Sequence, residues 1–143
     1  MAEPITGDAL WEFLAAGTRT AKLAYSRLDG GALVAPVWFV VDEEELVFTT
    51  MTTTARYRAL CRDPLVGICV DDENYPYGFA SLQGQASWQA LSPDELLPWT
   101  TRIARRYVGD EKAEQFGQRN AVEGEVLVRV QVLKSFAYSG VAD

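Results

Sequence analysis

From Ala80 to Ala90 two kinds of side chain alternate without interruption. Ala80, Leu82, Gly84, Ala86, Trp88 and Ala90 fall on one face, and Ser81, Gln83, Gln85, Ser87 and Gln89 on the other. A period of two over this length marks a long β-strand with one buried and one wet face, and it excludes an amphipathic helix there. One-sided burial points to an antiparallel sheet, because strands of a parallel sheet are covered on both faces. Glu125 to Tyr138 has the same character, with Val126, Val128, Val130 and Val132 sharing a face. Any fold for this chain must therefore accommodate two very long antiparallel strands.

The rest of the chain supplies partners for them. Thr20–Leu28 and Ala32–Val41 flank Asp29-Gly30-Gly31, where glycine permits the positive φ of a tight hairpin. Asp42 to Glu45 forms a second tight connection before Leu46–Thr50, and Leu65–Val70 is a further apolar strand followed by the turn-rich Asp71–Pro76. Helices are predicted at Asp8–Ala16, with Asp8 as the cap, at Thr54–Arg62 and at Asp110–Asn120. Ser92-Pro93-Asp94-Glu95 opens another, with a capping pair and proline at the first helical position; Leu96, Trp99, Ile103 and Tyr107 then form its apolar stripe. Pro98 is expected to kink or restart that helix. Six strands, with helices too few to cover both faces of a parallel sheet, predict a mainly β fold. The expected form is a closed or partly closed six-stranded antiparallel barrel with helices outside, residues 1–143 forming one domain.

Composition narrows the chemistry. The chain lacks histidine, which removes Ser-His-Asp and Cys-His nucleophile systems, a histidine general base and His-rich zinc sites. Cys61 and Cys69 are too few for a thiolate cluster, and both read as structural. The net charge of 13 − 20 = −7 argues against nucleic acid and anionic membranes as partners. The longest apolar run, Ala32–Val41, is too short to span a bilayer and holds a proline. The N-terminus has no signal-peptide pattern, so a cytoplasmic location is expected.

One segment concentrates anion-binding groups. Phe48-Thr49-Thr50-Met51-Thr52-Thr53-Thr54-Ala55-Arg56-Tyr57-Arg58 places hydroxyls, the free N–H groups of a helix start and two guanidinium forks at a strand-to-helix junction. Such a set can hold phosphate, and it can equally be a Thr-rich strand end with an ordinary cap and solvated arginines. Arg102, Arg105 and Arg106 form either a solvated helix face or a site for an acidic ligand tail. Asp71-Asp72-Glu73 reads as a solvated turn rather than a cation site, and no metal is expected. Trp88 and Trp99 are expected in the core.

The order of elements, together with Val34-Ala35-Pro36-Val37-Trp38-Phe39-Val40, Leu46-Val47-Phe48-Thr49-Thr50, Arg56 through Leu60-Cys61-Arg62-Asp63-Pro64 and Val66-Gly67-Ile68-Cys69-Val70-Asp71-Asp72, resembles the pyridoxamine 5′-phosphate oxidase-like split-barrel family. Within it the pattern is most similar to the flavin/deazaflavin oxidoreductases that use coenzyme F-420. The resemblance implies a homodimeric, six-stranded split barrel with two cofactor sites at the dimer interface. Carried over, Val34, Ala35, Pro36, Val37 and Trp38 would line the cofactor ring. Thr49, Thr50 and Thr54 match the family's hydroxyl positions, and Arg56 stands where a phosphate-binding lysine is usual. Ala55 and Val34 replace arginines typical of the oxidases acting on pyridoxamine phosphate, which disfavours FMN held in the oxidase manner. Tyr75-Pro76-Tyr77 is either a rigid turn or a cover for the ring, with Tyr77 the candidate proton donor. The resemblance thus implies an oxidoreductase passing hydride from reduced coenzyme F-420 to an unsaturated or conjugated small molecule. An FMN enzyme of the same fold and a non-catalytic flavin or deazaflavin carrier are the alternatives.

Overall fold

The computed structural model describes residues 1–143. In chain order it contains β1 (Glu3–Pro4), α1 (Asp8–Ala15), β2 (Ala21–Ser26), β3 (Ala32–Val37), β4 (Val40–Asp42), β5 (Glu45–Met51), α2 (Ala55–Arg62), β6 (Leu65–Asp72), β7 (Gly78–Gln89), α3 (Pro93–Val108), α4 (Asp110–Asn120) and β8 (Glu125–Ser139). The strands form one antiparallel sheet in the order β3-β2-β6-β7-β8-β5-β4, with β1 paired to the end of β8.

All six predicted strands are present. The count rises to eight because the two-residue β1 joins the sheet and because the strand predicted at Ala32–Val41 is interrupted at Trp38 and Phe39. That interruption shapes the molecule. β3 pairs only with β2, and β4 pairs only with β5, so the two ends of the sheet are consecutive pieces of one chain segment. The sheet is closed into a barrel by the covalent link at Trp38-Phe39 rather than by a ladder of hydrogen bonds.

Helix α3 satisfies the backbone where the ladder is missing. The Phe39 N–H donates to the Tyr107 hydroxyl at 3.2 Å, and the Phe39 carbonyl accepts from Arg106 Nη1 at 2.8 Å. Tyr107 donates in turn to the Arg19 carbonyl at 2.8 Å. Buried backbone groups need such partners, and here side chains replace a strand.

The barrel interior holds a continuous core that includes Leu23, Phe39, Phe48, Leu60, Ile68, Val70, Leu82 and Val128, joined by Leu10 and Leu14 of α1. A smaller core of Val40, Val47, Leu96, Ile103 and Leu127 lies between α3 and the outer face of β4, β5 and β8. Leu46, Val47 and Phe48 are consecutive and all buried because this part of β5 is covered on both faces. Trp88 packs against the main core and Trp99 against the smaller one, as expected.

The alternation along β7 is borne out: Ala80, Leu82, Gly84 and Ala86 are buried, while Ser81, Gln83, Gln85 and Ser87 are exposed. On β8 the pattern inverts partway. Gln83 pairs with Lys134 and Gly84 with Val132, leaving Leu133 as an extra residue. This bulge turns Ala137 inward and Phe136 outward, where Phe136 is 59% exposed and packs on Phe79 and Tyr138.

The capping pair of α3 forms as predicted: Ser92 Oγ accepts from Glu95 N–H at 3.2 Å, and Glu95 Oε1 accepts from Ser92 N–H at 3.1 Å. Pro98 does not restart the helix, which runs continuously to Val108. At an exposed position near the N-terminal end, it removes one internal hydrogen bond and leaves the affected carbonyl to water. The cap of α1 is Gly7, at φ 60°, rather than Asp8, which falls in the first turn. No helix is long and apolar enough to cross a membrane.

Candidate functional site

A cavity of about 270 Å³ opens at the interruption of the barrel. Pro36, Val37 and Trp38 at the end of β3 form one wall, and Ile103 of α3 closes behind them. Thr49 of β5, Arg56 of α2, Asn120 at the end of α4 and Glu125 at the start of β8 supply the polar groups. Five of the residues predicted from sequence, Pro36, Val37, Trp38, Thr49 and Arg56, are therefore brought together.

Local structure explains their placement. Thr54 caps α2: its Oγ1 accepts from Tyr57 N–H at 3.1 Å and donates to the Met51 carbonyl at 2.8 Å. With the Thr54 proton committed, the Thr50 hydroxyl is the donor in their 3.2 Å contact. Thr50 and Thr54 thus fix the β5–α2 corner rather than line the cavity. The corner in turn aims Arg56 inward, and its Nε is buried without a hydrogen-bond partner. A buried, unpartnered guanidinium edge is costly unless an anion or polar group meets it. That edge is also the side-on donor pair that binds carboxylate or phosphate.

Trp38 stacks on Tyr107, with ring centroids 5.0 Å apart and planes 9° from parallel, and stays 37% exposed. Its stacked face is occupied, so only its free side borders the cavity. Burial pushes the Glu125 carboxyl above its usual range, although a hydrogen bond from Thr49 and the charge of Arg56 oppose the rise.

The remaining predicted residues lie elsewhere. Val34, 65% exposed, and Ala35 sit farther along β3, outside the cavity lining. Tyr77 precedes Gly78, which pairs with Ser139 at the far end of β8 from Glu125, a path of roughly 45 Å along the strand. Its backbone is tied down at φ 69° by an N–H bond to the Asn74 carbonyl at 2.7 Å.

Three lining residues, Ile103, Asn120 and Glu125, were not legible as site residues. Glu125 reads only as the first residue of the last strand, and its pairing with Met51 brings it to the strand end beside Arg56.

The arginines of α3 do not form a site for an acidic tail. Arg106 donates to the carbonyls of Leu14, Ala16, Gly17 and Phe39; Arg102 binds Asp42 and the Val41 carbonyl; Arg105 pairs with Asp110. They serve as structural ties. A groove of about 380 Å³ on the other side of α2 carries Arg27, Arg58 and Arg62. Those three are already engaged with Asp29, the Thr53 carbonyl and the Ser26 carbonyl, so Arg56 is the better anion candidate. Asp71 and Asp72 form ion pairs with Lys22 and Arg19. Both cysteines are exposed rather than in the core. Cys69 points outward between buried Ile68 and Val70, where partial burial and Asp71 push its thiol up.

Known proteins resemble this chain in fold and in part in sequence. No curated protein matches it. A conserved hypothetical protein of Mycobacterium tuberculosis superposes with a TM-score of 0.79 at 23% identity, over 94% of this chain and 85% of that one. An F-420 reductase superposes at 0.70 with 25% identity, over 87% and 94% of the two chains. The heme storage protein HutZ of Vibrio cholerae, at 0.69 and 18% identity over 92% and 93%, shares the fold. The family model described as pyridoxamine 5′-phosphate oxidase matches residues 7–135, nearly the whole chain. With its barrel split at Trp38-Phe39, the chain belongs to the pyridoxamine 5′-phosphate oxidase family.

Proposed function

We propose that this protein is an oxidoreductase that binds coenzyme F-420 at the split of its barrel and reduces an unsaturated or conjugated small molecule. The observation that carries this reading is the buried Arg56 Nε, which has no partner within the chain and belongs to a side chain lining a cavity walled by Pro36, Val37 and Trp38. The similarity to an F-420 reductase over most of both chains supports the choice of coenzyme.

Arg56 and Thr49 would hold the phosphate of the coenzyme, and the side chains at the end of β3 would bear on its ring. The outer edge of β3, which pairs with no strand, leaves backbone donors and acceptors beside that wall. A reduced deazaflavin, when bound, supplies hydride from its ring. The protein's part is to hold ring and acceptor together and to exclude water, which requires no histidine.

The reading includes a homodimer, supported by apolar side chains on the outside of the barrel, with Val34 65%, Phe136 59% and Leu65 57% exposed. Within one chain Tyr77 is too far from the cavity to act there, so a role as proton donor requires a second copy. Sedimentation that gives a monomer at micromolar concentration would remove both statements.

The decisive experiment is a titration of the apo-protein with coenzyme F-420 and with FMN, followed by tryptophan fluorescence. Quenching by F-420 is expected, with most of the signal lost in Trp38→Phe. Arg56→Ala should weaken binding by about 1.5–3 kcal/mol, the loss of charge-assisted bonds to phosphate. Tight FMN binding with no response to F-420 would overturn the reading. Binding of reduced F-420 without turnover of any enone would make the protein a carrier.

A further inference from the structure

The cavity at the split carries one permanent positive charge and one carboxyl. Arg56 enters from α2 and Glu125 from β8. No other titratable group lines the cavity: β5 contributes Thr49, the end of β3 Pro36, Val37 and Trp38, α3 Ile103 and α4 Asn120. Arg56 has no hydrogen-bonding partner at Nε, and the carboxyl feels its charge without closing an ion pair. The guanidinium thus keeps its Nε donor free of any partner within the chain, in a cavity that a carboxyl also lines. With Glu125 ionised, the pair is electrically neutral before any anion enters. A ligand of charge −1 leaves one uncompensated negative charge in a half-buried space, and a ligand of charge −2 leaves two. Uncompensated charge there is expensive, and the second adds repulsion from the first.

We infer that Glu125 makes this cavity selective for a phosphodiester, which is singly charged, over a phosphomonoester, which is doubly charged near neutral pH. The inference rests on the cavity being the phosphate end of the cofactor site proposed above. It deepens that reading, because FMN carries a monoester and coenzyme F-420 a diester. Arg56 attracts any phosphate, and Glu125 sets which charge state is tolerated. Thr49 lines the same cavity as Glu125 and favours the ionised form of its carboxyl against the effect of burial.

The test compares FMN with its phosphate monomethyl ester, two ligands with the same ring and ribityl chain that differ by one charge. At pH 8 the wild type should favour the methyl ester over FMN about tenfold more than E125Q does, the order expected for one extra unit charge near a partly screened carboxylate when the attraction of Arg56 is common to both proteins. E125Q keeps the shape and should lose the preference by binding FMN more tightly. The methyl ester has a fixed charge, so its affinity for the wild type should fall as pH rises through the Glu125 titration, above the ordinary glutamate range, while E125Q stays flat.

The same ratio of affinities for the two flavins in the wild type and in E125Q would overturn the inference. Failure of both flavins to bind would overturn it together with the cavity assignment. If the preference holds while coenzyme F-420 does not bind, the choice of coenzyme falls and the role of Glu125 stands.

Discussion

Arg106 offers the sharpest test of how this barrel is held shut. Its guanidinium donates to four carbonyls: Leu14 at 2.7 Å, Phe39 at 2.8 Å, Gly17 at 2.9 Å and Ala16 at 3.2 Å. It also lies over the Phe39 ring at 4.4 Å. Arg106→Met keeps the aliphatic stem and removes every one of these bonds. Hydrogen bonds to a charged group contribute about 1.5–3 kcal/mol each, so four set an upper bound of about 6–12 kcal/mol. The loss will be smaller. The exposed Gly17 carbonyl can turn to water, and the Phe39 carbonyl lies 3.3 Å from the Tyr107 hydroxyl, whose one proton it can share with the Arg19 carbonyl. The carbonyls of buried Leu14 and partly buried Ala16 keep no substitute, which leaves a cost of about 3–5 kcal/mol. For a domain of this size that lowers the melting temperature by about 10–17 °C. Urea denaturation and calorimetry of wild type, Arg106→Met and Arg106→Lys measure it directly. Lysine should recover less than half, because an ammonium cannot span four carbonyls in a planar fork. A loss below about 1 kcal/mol in the methionine variant, or a lysine variant equal to wild type, would refute the reasoning.

Three further outcomes follow from local geometry. Glu44 sits at φ 58° in the β4–β5 hairpin, so Glu44→Gly should stabilise by about 0.5–1 kcal/mol in urea melts, the relief of left-handed strain less the added freedom of the unfolded chain. A Cβ added at Gly117 would stand 2.8 Å from Thr101 Cα, and the Gly117 carbonyl accepts from Thr100 at 2.8 Å; Gly117→Ala should cost about 2 kcal/mol by calorimetry, despite alanine's better helix propensity. Burial pushes Asp42 up, but hydrogen bonds and charge from Arg102 and Arg129 outweigh it and hold the carboxyl below the usual aspartate range. Its stabilisation is therefore full above the unfolded aspartate value of about 4 and is lost as pH falls through the lower folded value, so Asp42→Asn should be destabilised at pH 7 and converge on wild type in acid.

The strands were legible because each long one repeats every two residues, and the hairpins because glycine or a run of charge interrupts them. What stayed hidden was local departure from that period. Trp38 and Phe39 continue an apolar run, so nothing in their chemistry announces that the ladder stops there; the reason lies in Arg106 and Tyr107, nearly seventy positions later, which offer the backbone other partners. Leu133 conceals the bulge in β8 in the same way. A strict reading of period two would have sent Phe136 inward with the valines. In the candidate site, Arg56 and Thr49 stood out because hydroxyls and guanidinium at a strand-to-helix junction are a recognisable anion set. Thr50 and Thr54 share that chemistry but spend it on the corner itself. Glu125 could not be found, since its place depends on register between two strands far apart in sequence.

The split at Trp38-Phe39 also makes opening and occupancy of the molecule one question. A barrel closed by hydrogen bonds must lose a ladder to open. This one is closed by the chain itself at Trp38-Phe39, and a clasp of two side chains on α3 holds that segment where a strand would. The cavity shares its wall with that clasp through Trp38, stacked on Tyr107, and through Ile103. A ligand seated there would hold the clasp down, and a loosened clasp would cost the ligand its wall. The amide of Phe39 is the reporter of that coupling, and its hydrogen exchange should slow in step with occupancy.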